Sequence, residues 1–299
     1  MYRVPIESAM TLIGAARAGG YAVGYFESWN LESLQGVIDA AEAARAPMLI
    51  GFNGEFMSRE GRRAAERLRW YAALGLAAAE SARVPCALIF NECRNDAWIR
   101  QAVDAGFSQV MPDDPDAEPQ AYRRRVLALA RYAHGKGASI EAEVGHLATG
   151  AAGVLGDGEQ ALTDPDEAAD FVKATGVDVL AVSVGNVHIL LDGRQDLDLE
   201  RLEAIRRRVD VPFDLHGGTG IDGDSLREAL RLGVAKVCYG TYVKQRYIRA
   251  VEEALAVAEP NPHKRLGYGG EEDVLVAGRL AVRDAVLERI ADLGCRGKG

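Results

Sequence analysis

Two histidines stand at matching places in this chain. His216 follows the apolar run VPFDL at 211–215 and is followed by Gly217-Gly218-Thr219-Gly220, with a helix expected to begin near Asp222. His188 follows the run DVLAVSV at 178–184 and then Gly185-Asn186-Val187. A single histidine at a strand end is usually a hydrogen-bonded structural residue. Two in the same context, on successive strands, converge in space and form the start of a divalent-metal site. Two imidazoles and one carboxylate leave zinc, the first candidate, a coordination position for substrate. The glycines beside them let backbone amides approach an anion closely.

Other polar residues fall at the ends of apolar runs: Glu27, Asn53, Asn91 with Glu92, Asp113, Glu141 with Glu143, and Gly240 with Thr241. Glu141 and Glu143 share one face of their strand, because side chains repeat every second residue. If that face is interior, the two acids need a cation or a shared proton. His146 follows directly and is within reach of the same place. His134 and His263 read as solvent-facing residues of a helix end and a loop.

These residues need a scaffold that gathers strand ends. Apolar runs at 22–27, 47–53, 84–90, 107–111, 138–144, 178–184, 211–215 and 235–239 read as strands. Between and after them, 31–45, 59–83, 96–105, 120–134, 165–175, 197–208, 224–232 and 242–257 have helical periodicity. Asn30 is a suitable N-cap, Pro165 suits a first helical turn, and Gly106 and Gly176 suit helix ends. Eight alternations without a break predict an α/β chain of the (β/α)8 TIM-barrel class, favoured over a doubly wound sheet. The expectation is one domain over 1–299, with the barrel at about 22–257 and a helix before it. An extra helix at about 274–293 would serve capping or oligomerisation. The Gly-rich stretch 146–163 reads as a loop of functional length.

Composition excludes several classes. A net charge of −9 over 299 residues argues against a nucleic-acid groove. No run of 18 apolar residues is present, which argues against a membrane span, and the first twenty residues lack the apolar core of a secretory signal. Cys86, Cys93, Cys238 and Cys295 show no CxxC spacing, as expected for reduced thiols in a cytoplasmic protein.

Longer motifs carry a resemblance. QAVDAGF at 101–107 through Met111, YAHGKG at 132–137 through EAEVG at 141–145, LTDPDEAADFV at 162–172 through TGVD at 175–178, and the two histidine motifs resemble the class II, metal-dependent fructose-bisphosphate aldolases and their tagatose-bisphosphate relatives. The likeness spans about 22–251. It implies a reversible aldol cleavage of a ketose phosphate at a metal held by three histidines, in a homo-oligomer, dimer or tetramer. By position, His188 and His216 match two ligands and Glu143 the acid beside the metal. Glu159 matches the loop acid that moves a proton. Gly185, Gly217, Gly218, Thr219, Gly240 and Thr241 match parts of the phosphate and triose pocket, to which Asn53 and Asn186 are added as substrate-binding candidates, although the family's Gly-Thr-Ser-His-Gly reads Gly185-Asn186-Val187-His188-Ile189 here.

The departures from the family pattern lie at the site. Where the family has His-x-Asp-His, this chain reads Ile89-Phe90-Asn91-Glu92. Glu92 then stands for the third ligand, and Asn91 holds the catalytic acid position with an amide that cannot carry a proton. A family lysine falls at Asp192, a family asparagine at Cys238, and a Phe-Asn pair reads Phe26-Glu27. The expected function is a metal-dependent lyase acting on a sugar or sugar phosphate other than fructose 1,6-bisphosphate. Glu27, Glu92 or His146 would take over proton transfer. The alternative is a noncatalytic partner subunit or sugar-binding protein.

Overall fold

The computed structural model describes residues 6–147, 161–188 and 193–299; Glu159 and Asp192 lie outside the described residues. Eight parallel strands close on themselves in sequence order: β1 (Val23–Ser28), β2 (Met48–Asn53), β3 (Cys86–Cys93), β4 (Gln109–Pro112), β5 (Ser139–Val144), β6 (Val179–Val182), β7 (Phe213–Leu215) and β8 (Val234–Tyr239). The expected (β/α)8 TIM barrel is the observed fold. Closure is direct, with Tyr25 of β1 beside Cys238 of β8. Strands buried on both faces need near-continuous apolar runs, and β2 and β8 are buried at every position.

The helices are α1 (Ala9–Gly19), α2 (Leu31–Ala44), α3 (Gly54–Ser58), α4 (Leu68–Ser81), α5 (Asp96–Asp104), α6 (Pro119–His134), α7 (Pro165–Thr175), α8 (Leu199–Arg206), α9 (Gly223–Arg231), α10 (Thr241–Ala256), α11 (Pro262–Arg265) and α12 (Val274–Leu293). Local chemistry sets most boundaries. Asn30 and Ser33 form a reciprocal capping box on α2, a feature worth about 1 kcal/mol. Asp164 caps α7 ahead of Pro165, and Gly176 ends that helix in the left-handed region at φ +71°. α1 packs against β1, β3 and β8, and the Glu7 amide donates to the Cys86 carbonyl at the start of β3, so this helix lies at the N-terminal end of the barrel. α12 lies along α2 and α10.

One expectation fails. The Ala- and Arg-rich stretch 59–83 is not one helix: only α4 forms within it, and the short α3 precedes it. Gly61 takes φ +80°, and the Arg62 guanidinium donates to the carbonyls of Phe56 and Ala64 and pairs with Glu66. Those bonds turn the chain back and override intrinsic helix propensity. The break also lets α3 begin directly after Asn53, at the barrel mouth.

Candidate metal centre and active site

The barrel interior carries an unusual line of charge. Lys236 on β8 is fully buried, with Nζ 2.6 Å from Glu141 Oε2 on β5, 3.1 Å from Asp214 Oδ2 on β7 and 3.3 Å from Asn91 Oδ1 on β3. A lysine that reaches strands on three sides of a closed sheet must point inward. It is the cation that the acid at Glu141 requires. Its charged form is held far above the ordinary lysine value: burial opposes the charge, but Asp214 and Glu141 outweigh it.

His216 sits above this network. Its Nε2 is 3.1 Å from Asp214 Oδ2 and 3.3 Å from Glu141 Oε1, and its Nδ1 is 2.8 Å from Glu92 Oε1. An imidazole nitrogen held by a carboxylate fixes the ring and leaves the other nitrogen for a metal. Burial disfavours the His216 charge, but Cys238, Glu92 and Asp214 prevail and raise its pKa well above the ordinary histidine value, so a metal binding at this ring must displace a proton. His188 Nε2 lies 4.0 Å from Glu92 Oε1, with the two imidazole rings 5.7 Å apart and nearly perpendicular. Burial lowers the pKa of His188, which favours the neutral form that ligates metals.

Glu92 completes the group. One ligand atom each from Glu92, His188 and His216 lie within 4.8 Å of one another. Glu92 reaches them through a local distortion. It has φ +46°, and the β3–β4 register shifts between Phe90 and Cys93. A bulge re-aims a side chain, and a left-handed non-glycine residue costs about 1–2 kcal/mol, so the surrounding contacts must hold it. Asn53 does part of that. Its Nδ2 donates to Glu92 Oε2 while its Oδ1 accepts from the Phe56 amide at the start of α3. Burial alone would raise the Glu92 carboxyl, but His216, His188 and Lys236 hold it at about 2. Two nitrogens and an ionised oxygen, with a carboxylate behind one of the rings, suit a divalent ion.

These groups open into a cavity of about 420 Å³ at the C-terminal ends of the strands. Glu27, Asn91, Glu143, His146, Gly217, Thr219, Gly240 and Thr241 from the expected set line it. Several have different partners from those expected. Glu143 lines the wall outside the three-donor group, and burial pushes its carboxyl up to about 8, so it is protonated at neutral pH. Glu27 Oε1 is 2.5 Å from Lys244 Nζ; burial raises its pKa although Lys244 works against it. Thr219 Oγ1 accepts from the Tyr242 amide in the first turn of α10. Asn186 is fully buried, with Oδ1 accepting from the Val184 amide and Nδ2 donating to the carbonyls of Val182 and His216. It therefore ties the two histidine loops together instead of standing in the cavity wall. Gly185 takes φ +100° and Gly218 is buried against Val237 and Tyr239; both serve backbone packing. Gly217 is glycine for a specific reason: it has φ +67°, and a Cβ there would collide with the Val187 carbonyl oxygen beside His188. His134 is exposed and pairs with Asp178, and His263 is exposed.

Asp214, Lys236 and Lys244 were not among the expected site residues. The first two had a signal. Asp214-x-His216 and Lys236-x-Cys238 place polar pairs on one face of otherwise apolar strands, as Glu141-x-Glu143 does. Asp113 is one of the strand-end acids. It lines the cavity, and burial, with Glu92 next, pushes its carboxyl up to about 6. All four cysteines are buried free thiols, and no helix among the described residues is long and apolar enough to cross a membrane.

Comparison with known proteins bears on the fold and the family. The family model for class II fructose-bisphosphate aldolase matches residues 7–298. The chain is 32% identical over 301 residues to a fructose-bisphosphate aldolase of Geobacillus stearothermophilus, covering 98% of each. It is also 32% identical over 278 residues to the uncharacterized protein YdjI of Escherichia coli K12, covering 93% of this chain and 94% of the other. The crystal structure of the YdjI aldolase from E. coli K12 superposes with a TM-score of 0.80 at 30% identity, over 98% of this chain and 99% of that one. A barrel with its polar residues gathered at the C-terminal strand ends, and sequence similarity along nearly its whole length, have one common explanation: the chain belongs to the class II fructose-bisphosphate aldolase family.

Proposed function

We propose that this protein catalyses divalent-metal-dependent retro-aldol cleavage, or enolisation, of a sugar-derived ketose other than fructose 1,6-bisphosphate. The observation that carries this reading is the convergence of Glu92, His188 and His216 at the base of the cavity, with His216 oriented from behind by Asp214. These three residues would hold the ion. A divalent ion there, zinc being the first candidate, supplies Lewis acidity toward a ketone oxygen.

The remaining work falls to the chain itself. Cleavage requires removal of a proton from the hydroxyl beside the breaking bond, and Asn91 has no proton to exchange. Asp113, ionising at about 6 at the cavity wall, is suited to act as that base near neutral pH. Glu143, protonated up to about 8, is suited to donate. His146 also faces the cavity and is a second candidate for proton transfer. Asn53 and Lys236 act through other groups: the first orients Glu92, the second neutralises the carboxylates that orient His216.

Metal content per chain, measured by mass spectrometry on protein purified without chelator, tests the reading. Near one equivalent of a divalent ion is expected, lost in a His188→Ala/His216→Ala double variant. Aldehyde release from a ketose panel should depend on that ion. Absence of metal after supplementation, together with absence of turnover, would leave a noncatalytic binding role.

A further inference from the structure

Away from the Glu92, His188 and His216 group, the cavity is poor in positive charge. Glu27, Glu55, Glu92, Asp113 and Glu143 line it, whereas Lys244 is the one lysine and no arginine is present among the described residues of its wall. Residues 148–160 and 189–192 contain no lysine or arginine either. Lys244 is already engaged: Nζ is 2.5 Å from Glu27 Oε1 and 4.0 Å from the centre of the Phe56 ring.

The placement of Glu27 is specific. The residue is only 6% exposed; Oε1 pairs with Lys244, while Oε2 has no hydrogen-bond donor among the described residues and keeps its remaining exposure toward the cavity that Glu27 lines. That oxygen occupies room left by Gly240, since a Cβ at 240 would lie 2.6 Å from it. Gly240 precedes the first turn of α10, whose amides would otherwise favour a phosphate. A carboxylate in that position opposes an anion and leaves an acceptor waiting for a donor.

We infer that Glu27 selects the substrate at this end of the cavity: the group seated against Gly240 and Thr241 is an uncharged, hydroxyl-bearing terminus of the ketose, donating to Glu27 Oε2, and not a phosphate. The inference rests on the retro-aldol reading above and narrows it. Glu27 is then a specificity residue, separate from the metal ligands. A site built to accept a hydroxyl proton discriminates strongly against a partner that cannot donate one.

The test uses the metal-loaded full chain and matched pairs of ketohexoses, each free and as its 1-phosphate and 6-phosphate. Aldehyde release gives kcat/KM, and calorimetry gives binding of inorganic phosphate. The wild type should prefer free ketoses by at least ~10-fold in kcat/KM and bind inorganic phosphate weakly. Glu27→Gln keeps the side-chain size and removes the charge. It should shrink that preference by about 10-fold and tighten inorganic phosphate binding. Preference of the wild type for a phosphorylated ketose, or an unchanged preference in Glu27→Gln, overturns the inference and leaves the retro-aldol reading standing. Cleavage of no ketose in either form by the wild type overturns the retro-aldol reading and this inference with it.

Discussion

Replacement of Lys236 by methionine tests the electrostatic arrangement beneath the site. Lys236, Glu141 and Asp214 are all fully buried, with separations of 2.6 and 3.1 Å. Methionine fills most of the volume but leaves two acids without their cation. Removing one partner of a buried ionic group costs about 3–5 kcal/mol. Unfolding entropy of about 2.1 cal/mol/K per residue over 299 residues is roughly 0.6 kcal/mol/K. The expected fall in Tm at pH 7.5 is therefore about 5–8 °C. Its pH dependence follows from linkage. Burial already holds the Glu141 carboxyl above its ordinary value, and loss of Lys236 removes the largest charge opposing that rise and the largest one holding Asp214 down. A carboxyl with a raised folded pKa destabilises the fold only as pH climbs above the unfolded value, so the deficit should be smaller at pH 5 than at pH 7.5. Differential scanning calorimetry at the two pH values measures both quantities. Adding Glu141→Gln and Asp214→Asn to Lys236→Met should recover part of the loss. A shift below ~2 °C at pH 7.5, or one equal at both pH values, would refute the assignment of Lys236 as the buried counter-ion.

Three further outcomes follow from the geometry. Glu92→Gln should weaken divalent-ion affinity by at least ~10-fold, measured by competition with a chromophoric chelator, while leaving the far-ultraviolet dichroism unchanged. Asp113 has a folded pKa raised to about 6, so its contribution is full below the unfolded value and lost as pH rises through 6. Asp113→Asn should therefore flatten the fall in Tm between pH 5 and 7.5 and, if Asp113 is the base, abolish the rise of kcat/KM across the same range. Gly217→Ala demands a strained backbone and places a methyl against the Val187 carbonyl beside His188. It should cost roughly 2 kcal/mol or more by urea titration and lower metal affinity with it.

Much of the fold follows from short-range rules. Strand runs with apolar residues on both faces, helix caps at Asn30 and Asp164, and left-handed glycines at 106 and 176 act within a few residues of themselves, so they are legible along the chain. The regular alternation then leaves few topologies, and the barrel places His188 and His216 at one mouth. Where a short-range rule met a longer contact, it lost: the stretch 59–83 has helical composition, but the Arg62 bonds across the turn at Gly61 decide its course.

Alternation along the chain was enough to predict the barrel and the end that carries its polar residues, and the family resemblance singled out Glu92 as the candidate partner of the two histidines. Tertiary structure decided what each group touches. Lys236 meets Glu141 across 95 residues, Glu92 meets His216 across 124, and Lys244 meets Glu27 across 217. It also decided that Asn186 and Asn53 hold other residues in place and that Glu27 fills the space beside Gly240. The physical reason is range. Propensity, capping and periodicity are properties of neighbouring residues, whereas charge pairing and steric room in a barrel interior exist only once strands distant in sequence have been brought within a few ångströms.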